Sequence, residues 1–164
     1  MRPEENSTST NIPAQPGTYA LILRNRASRT IHIGALGRLV TRPGFYIYVG
    51  SALGPGGLYS RVSRHIRREK KLHWHIDFLR PYAEVEMVWF EQHSTAREHD
   101  WAAAFGSEPR SEVALPRFGA SDCRCESHLF YSKLIPSISG FRIRLQARSP
   151  DSGVRMWRDG DAVQ

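Results

Sequence analysis

Between Gly17 and Ser51 the chain lays down three or four strand patterns with only turns between them, and that spacing leaves few folds available. "GTYALILR" at 17–24 is apolar with strand-forming residues. "RTIHIGAL" at 29–36 alternates Ile31 and Ile33 with polar residues, and "FYIYVGSA" at 45–52 is again apolar. Turns fall around Gly37 and at "RPG", 42–44. Parallel neighbours need a crossover of roughly a dozen residues or more. Strands joined by turns alone therefore pair antiparallel, as a meander.

Helices come next. "LGPGG" at 53–57 breaks the strand pattern, and Leu58, Val62 and Ile66 then recur at four-residue intervals, predicting an amphipathic helix over 58–71. "HWHIDFL" predicts a short helix stopped by Pro81. "AEVEMVWF" reads as a strand and "STAREHDWAAAFG" as a helix ended by Gly106. "SHLFYSKL" and "GFRIRLQ" read as closing strands. The fold class is α+β, a small antiparallel sheet flanked by helices. Residues 1–15 and 148–164 are polar enough to be expected as tails, with Trp157 the one anchor of the second, so the domain spans 16–147.

Charge narrows the function. Lys and Arg number 23 against 16 Asp and Glu, a formal net charge of +7. Arg61, Arg64, Arg67, Arg68, Lys70 and Lys71 cluster against the single acid Glu69, which points to a polyanionic partner. No apolar run approaches the ~18 residues of a membrane span. The N-terminus lacks the apolar core of a signal peptide, and two close cysteines fit a reducing compartment. A cytoplasmic location is expected.

Several residues are candidates for chemistry, each with a bland alternative. Arg61 and His65 lie four apart on one helix face, suited to phosphate and proton transfer, or simply part of a solvated basic helix. Glu98 closes "TARE", a capping box in which it would bond the Thr95 N–H. It also shares the apolar helix face with Trp101, Ala102 and Phe105, where a carboxylate needs a cation beside it. His73, His75 and Asp77 form a packed, hydrogen-bonded group or part of a metal site. Cys123, Cys125 and His128 are soft ligands, but the Cys-x-Cys gap is tight and the fourth ligand would have to come from elsewhere, as His93 or His99. Reduced thiols without structural zinc are expected.

In chain order the pieces are Gly-Thr-Tyr, Tyr-Val-Gly, a helical Arg with His four later, and a helical Glu. Together with "GFYIYVGSALGPGGLYSRVSRHIR", "KKLHWHIDFL" and "SDCRCESHLFY", that order resembles the GIY-YIG nuclease superfamily, and most closely its Uri-type branch, over residues 16–145. The resemblance implies a metal-dependent endonuclease hydrolysing phosphodiester bonds in DNA. Tyr19, Tyr48, Arg61, His65 and Glu98 would be its catalytic residues. Glu98 would hold one magnesium or manganese ion, and Arg64, Arg67, Arg68, Lys70 and Lys71 would contact nucleic acid. One phenol would help deprotonate water and the other orient it, its pKa lowered by His65 or Arg61. Two departures stand out. Residues 25–44 insert an extra hairpin between the tyrosine motifs. The late asparagine of many members is missing, its role empty or taken by Asp122, Ser127 or His128. The alternative function is a non-catalytic nucleic-acid-binding module on the same fold.

Overall fold

In the computed structural model, which describes residues 11–158, the sheet grows outward from β1 (Gly17–Asn25). β1 pairs antiparallel with β4 (Gly44–Ala52) on one side and β5 (Glu84–Gln92) on the other. Beyond β4 come β7 (Leu129–Ser132) and β6 (Ser111–Val113), and outside β5 lies β8 (Arg155–Arg158). The result is a six-stranded antiparallel sheet in the order β6-β7-β4-β1-β5-β8, the α+β class expected from the sequence. β1 is covered on both faces, which is why its sequence is nearly continuous apolar residue rather than an alternation.

The inserted hairpin is β2 (Thr30–Ile33) with β3 (Gly37–Val40), and it stands apart from the sheet. The expected meander is corrected accordingly: the chain leaves β1, folds the hairpin, and returns as β4 directly beside β1. Asn25 closes the base of this excursion, its amide donating to the carbonyls of Ala27 and Arg42 at 2.7 and 2.8 Å. Ile31, Ile33 and Leu39 still reach the core.

One face of the sheet carries α1 (Gly57–Ile66) and α2 (His75–Leu79), packed on Tyr19, Leu21 and Leu23. The other carries α3 (Glu98–Gly106) and α4 (Ile138–Gln146), packed on Ala20, Ile22 and Trp89. A bulge in β5 serves this two-sided burial. Ile22 faces Met87 while Leu23 faces Val85, so Glu86 is extra and Val85 turns to the same side as Val88 and Phe90.

α1 stops at Ile66 rather than running to Lys71. Its last carbonyls are taken by cations: Lys70 donates to those of Arg64 and His65, and Arg80 to those of His65 and Ile66. Its first N–H groups have no side-chain cap. The backbone of the supposed N-terminal tail replaces one, Gln15 accepting from Leu58 and Pro13 from Tyr59, both at 2.9 Å, with Ile12 buried alongside. The tail expectation therefore fails for residues 11–15, while residues 1–10 and 159–164 lie outside the described residues.

Two further expectations are corrected. "GFRIRLQ" is helical, because Ile138, Phe141 and Leu145 are buried at helical spacing and the Ser137 side chain caps the first turn. The segment after Arg148 is anchored rather than free. Trp157 is buried opposite Val88, and Asp151 pairs with Arg97 at 2.9 Å. Among the described residues no helix is long and apolar enough to cross a membrane.

If β8 closes the core in this way, Trp157→Ala costs about 3–5 kcal/mol, read as a lower unfolding midpoint in denaturant. Trp157→Phe loses far less, since the buried indole N–H has no partner among the described residues. Equal, negligible losses for both variants would place the segment outside the fold.

Candidate active site

The site begins with an absence of side chain. Tyr19 lies directly across from Gly50 in the β1–β4 register, and a Cβ on Gly50 would overlap the Tyr19 hydroxyl. Gly17 makes a similar allowance at the strand start, where a Cβ would strike the Glu91 carbonyl and the Leu58 side chain. Bare backbone thus lets α1 close onto the sheet and lets the Tyr19 ring lie over β4. Tyr48, two residues before Gly50 and on the same face, brings its ring centroid to 6.4 Å from that of Tyr19.

α1 supplies the next two groups. His65 is 1% exposed and its Nε2 is 2.7 Å from Tyr19 Oη. Burial, with the Lys70 charge, pushes the imidazole down to about 3, so it is neutral at ordinary pH. Its Nδ1 is buried with no partner among the described residues. A bare acceptor is less costly to bury than a bare N–H. Nε2–H therefore donates to Tyr19 Oη, leaving the phenol proton free to turn toward solvent. Arg61, one helical turn earlier, lays its guanidinium over the Trp74 ring, 4.4 Å from the centroid.

Glu98 arrives from the opposite face. The body of α3 packs beneath the sheet, but its first residue reaches around the end where β1 begins and β5 ends. The capping box expected at Thr95 does not form: the Thr95 hydroxyl pairs with His93, and the helix starts only at Glu98. Arg97 is the reason. Its side chain bonds Asp151 and lies 3.6 Å from buried Glu91, and its N–H donates to Thr18, which holds it out of helical geometry. Glu98 is thus free to face an open cleft of about 350 Å³ that Tyr19, Tyr48 and Arg61 also line. Trp74, Asp122, Cys123 and His128 complete its walls. Burial raises the Glu98 carboxyl pKa, with His99 and Arg61 opposing.

Tyr19, Tyr48, Arg61 and Glu98 therefore share one cleft, and His65 stands behind Tyr19. The phenols are not activated in the way the sequence suggests. Burial raises the pKa of both well above the ordinary value, the neighbouring phenol adding to it at Tyr19 and Glu98 at Tyr48. Arg61 pulls each down without prevailing, and neutral His65 brings no charge to help.

The basic residues divide into two groups. Arg64 makes a paired bond to Asp77 at 2.9 and 3.0 Å and stacks on Trp74, and Lys70 caps α1, so both are committed to the fold. Arg67, Arg68 and Lys71 are exposed, Arg68 lying 3.7 Å from Glu84. A second groove shares Gly54, Arg61 and Trp74 with the cleft and runs on to Arg64 and Arg67. "HWHID" is structural: Asp77 accepts the N–H groups of His73 and Trp74, and His75 accepts from Gly119. Of the three stand-ins for the asparagine, Asp122 and His128 line the cleft, whereas Ser127 bonds the carbonyls of Leu115 and Leu129. The cysteine segment does not lack a fourth soft ligand, since His99 joins Cys123, Cys125 and His128. Of the two histidines weighed as a fourth ligand, His99 is the one that joins the group and His93 is not, while Trp74 enters the cleft without a sequence signal.

A family model described as "Domain of unknown function DUF123" matches residues 18–145, from β1 to the end of α4. The chain belongs to the DUF123 family. DUF123 is a GIY-YIG-like family, in keeping with the motif order above, and the matched region of this DUF123 domain contains every residue of the cleft. No curated protein and no solved structure matched the chain.

The neutrality of His65 has a thermodynamic consequence. In the unfolded DUF123 domain this imidazole protonates below about 6.5, but folded His65 does so only near 3. Its contribution is therefore complete above pH 6.5 and declines as pH falls toward 3, by at most about 1.4 kcal/mol per pH unit. His65→Gln should flatten the fall of Tm across that window. Identical slopes for parent and variant would contradict a neutral, buried His65.

Proposed function

We propose that this DUF123 domain is a metal-dependent endonuclease hydrolysing phosphodiester bonds in DNA, of the Uri type among GIY-YIG nucleases. The observation that carries the reading is the shared cleft: the Tyr19 and Tyr48 phenols, the Arg61 guanidinium and the Glu98 carboxyl, from four separate elements, around a single opening. The adjoining basic groove supports a polyanion as its occupant.

The Arg61 guanidinium, held by the Trp74 ring, faces the position of a phosphate and donates to oxygens that gain negative charge as phosphorus becomes five-coordinate. Tyr19 and Tyr48 hold the attacking water by hydrogen bonds. With Nε2–H of His65 occupying one side of Tyr19 Oη, the Tyr19 proton is directed outward. Both phenols remain protonated in the unliganded protein, so their part is orientation rather than proton removal until charge enters the cleft. A water oxygen bonds to phosphorus and releases one proton to solvent, the bond to the leaving ester oxygen breaks, and that oxygen takes up a proton from solvent.

Glu98 fits a hard divalent cation: it is a cleft-facing carboxylate beside an opening wide enough for water and phosphate oxygens, the ligands magnesium and manganese prefer. Bound there, such an ion supplies charge neutralisation on the phosphoryl oxygens. The second reading, a nucleic-acid-binding module without catalysis, is favoured by one observation, the upward shift of both phenols.

Incubation with supercoiled, branched and single-stranded DNA, with magnesium or manganese, separates the two. Metal-dependent cleavage by the parent is expected, with Arg61→Ala reduced about 10²–10³-fold and Glu98→Gln losing metal-dependent cleavage while still binding DNA. A parent that binds these substrates but cleaves none is the binding module.

A further inference from the structure

We propose that His99, Cys123, Cys125 and His128 bind one zinc ion, in a closed site that ties the start of α3 to the loop between β6 and β7. The assignment does not depend on the nuclease reading, although the two sites share Glu98, His99, Cys123 and His128. One ligand atom from each of the four residues lies within 4.8 Å of the others. Zinc with bonds of about 2.0–2.3 Å to nitrogen and sulfur sets tetrahedral ligand separations of about 3.3–3.8 Å. The Cys123 Sγ to His128 Nε2 edge is already 3.5 Å. The remaining edges need contractions of at most about 1.5 Å, within reach of side-chain rotation on a surface loop.

The loop's own hydrogen bonds shape it for this. Arg117 donates to the carbonyls of both Cys123 and Cys125, at 2.9 and 3.1 Å, and the N–H of His128 bonds the Phe118 carbonyl at 2.8 Å. Both cysteines are half-buried while Arg124 between them is exposed, so the one-residue gap turns both thiols to the same side. That geometry makes the tight Cys-x-Cys spacing compatible with a single ion, and His99, from another element, supplies the fourth ligand.

Two thiolates and two neutral imidazoles suit a borderline-soft ion and leave the occupied site uncharged. Each thiol releases its proton to solvent on binding. His128 directs Nε2 toward Cys123, which makes Nδ1 its outer nitrogen, and Nδ1 lies 3.8 Å from Glu98 Oε2. Metal-bound histidines commonly donate that second N–H to a carboxylate. Glu98 is therefore a positioning residue for the zinc site as well as a wall of the cleft, so an ion there would hold Glu98 in place.

Cobalt(II) titration of the full chain, reduced and stripped of metal, tests the assignment. A thiolate-to-cobalt charge-transfer band with tetrahedral visible absorption, saturating at one equivalent and bleached by one equivalent of zinc, is expected. Cys125→Ser should lower the charge-transfer intensity by about half. His99 is 60% exposed, so His99→Ala is expected to fold and to bind cobalt more weakly with a changed visible spectrum. Glu98→Gln should weaken zinc about 10–100-fold against a competing chelator without changing the stoichiometry. Absence of the thiolate band in the parent, or an unchanged spectrum in His99→Ala, overturns the proposal. DNA cleavage assayed with zinc saturating keeps a failure of this site distinct from a failure of the nuclease reading.

Discussion

The packing of the Tyr19 ring over the bare backbone of Gly50 sets the geometry on which the cleft depends. The ring can lie across β4 only because no side chain rises there, and in doing so its hydroxyl meets His65 and its edge approaches Tyr48. Gly17 allows the same closeness at the strand start, bringing α1 against it with Leu58 and Val62 buried. Arg61 then projects at the rim rather than into solvent, supported by Trp74. A larger residue at either glycine would separate sheet and helix, and the four groups of the cleft with them.

Charge within this site is arranged by burial more than by pairing. His65 stays neutral, both phenols stay protonated, and the Glu98 carboxyl is pushed up. Arg61 is the guanidinium facing the opening, beside the carboxyl groups of Glu98 and Asp122, since Arg64 is matched by Asp77. On the proposed function, a phosphate and its counter-ion would bring charge into these balances.

Much of this was legible in the sequence, and the remainder failed for identifiable reasons. The strands, the tyrosine pair and the Arg61–His65 helix carry their information locally, in periodicity and in glycines beside tyrosines. "GFRIRLQ" misleads because Phe141, Ile143 and Leu145 alternate as a strand would. Ile143 is 71% exposed, and the true partner of Phe141 and Leu145 is Ile138, outside that window. "TARE" has the letters of a cap, but the long-range pairing of Arg97 with Asp151 and its contact with Glu91 moves the helix start past it. The same pairing anchors a C-terminal segment whose composition reads as a tail. Arg64 and Lys70 look like two more phosphate contacts until Asp77 and the end of α1 claim them. The meeting of His99 with the cysteine loop is likewise a product of topology: residues far apart in sequence converge where β5 hands over to α3 and the loop enters β7.

The account stands most directly on where a phosphate sits. A structure of the protein with a DNA duplex and calcium, a hard cation that permits binding while slowing hydrolysis, measures it. One backbone phosphate should contact the Arg61 guanidinium, with the cation between that phosphate and Glu98 and the strand continuing past Arg67. DNA seated elsewhere on the surface, with the cleft holding neither phosphate nor cation, would contradict the account.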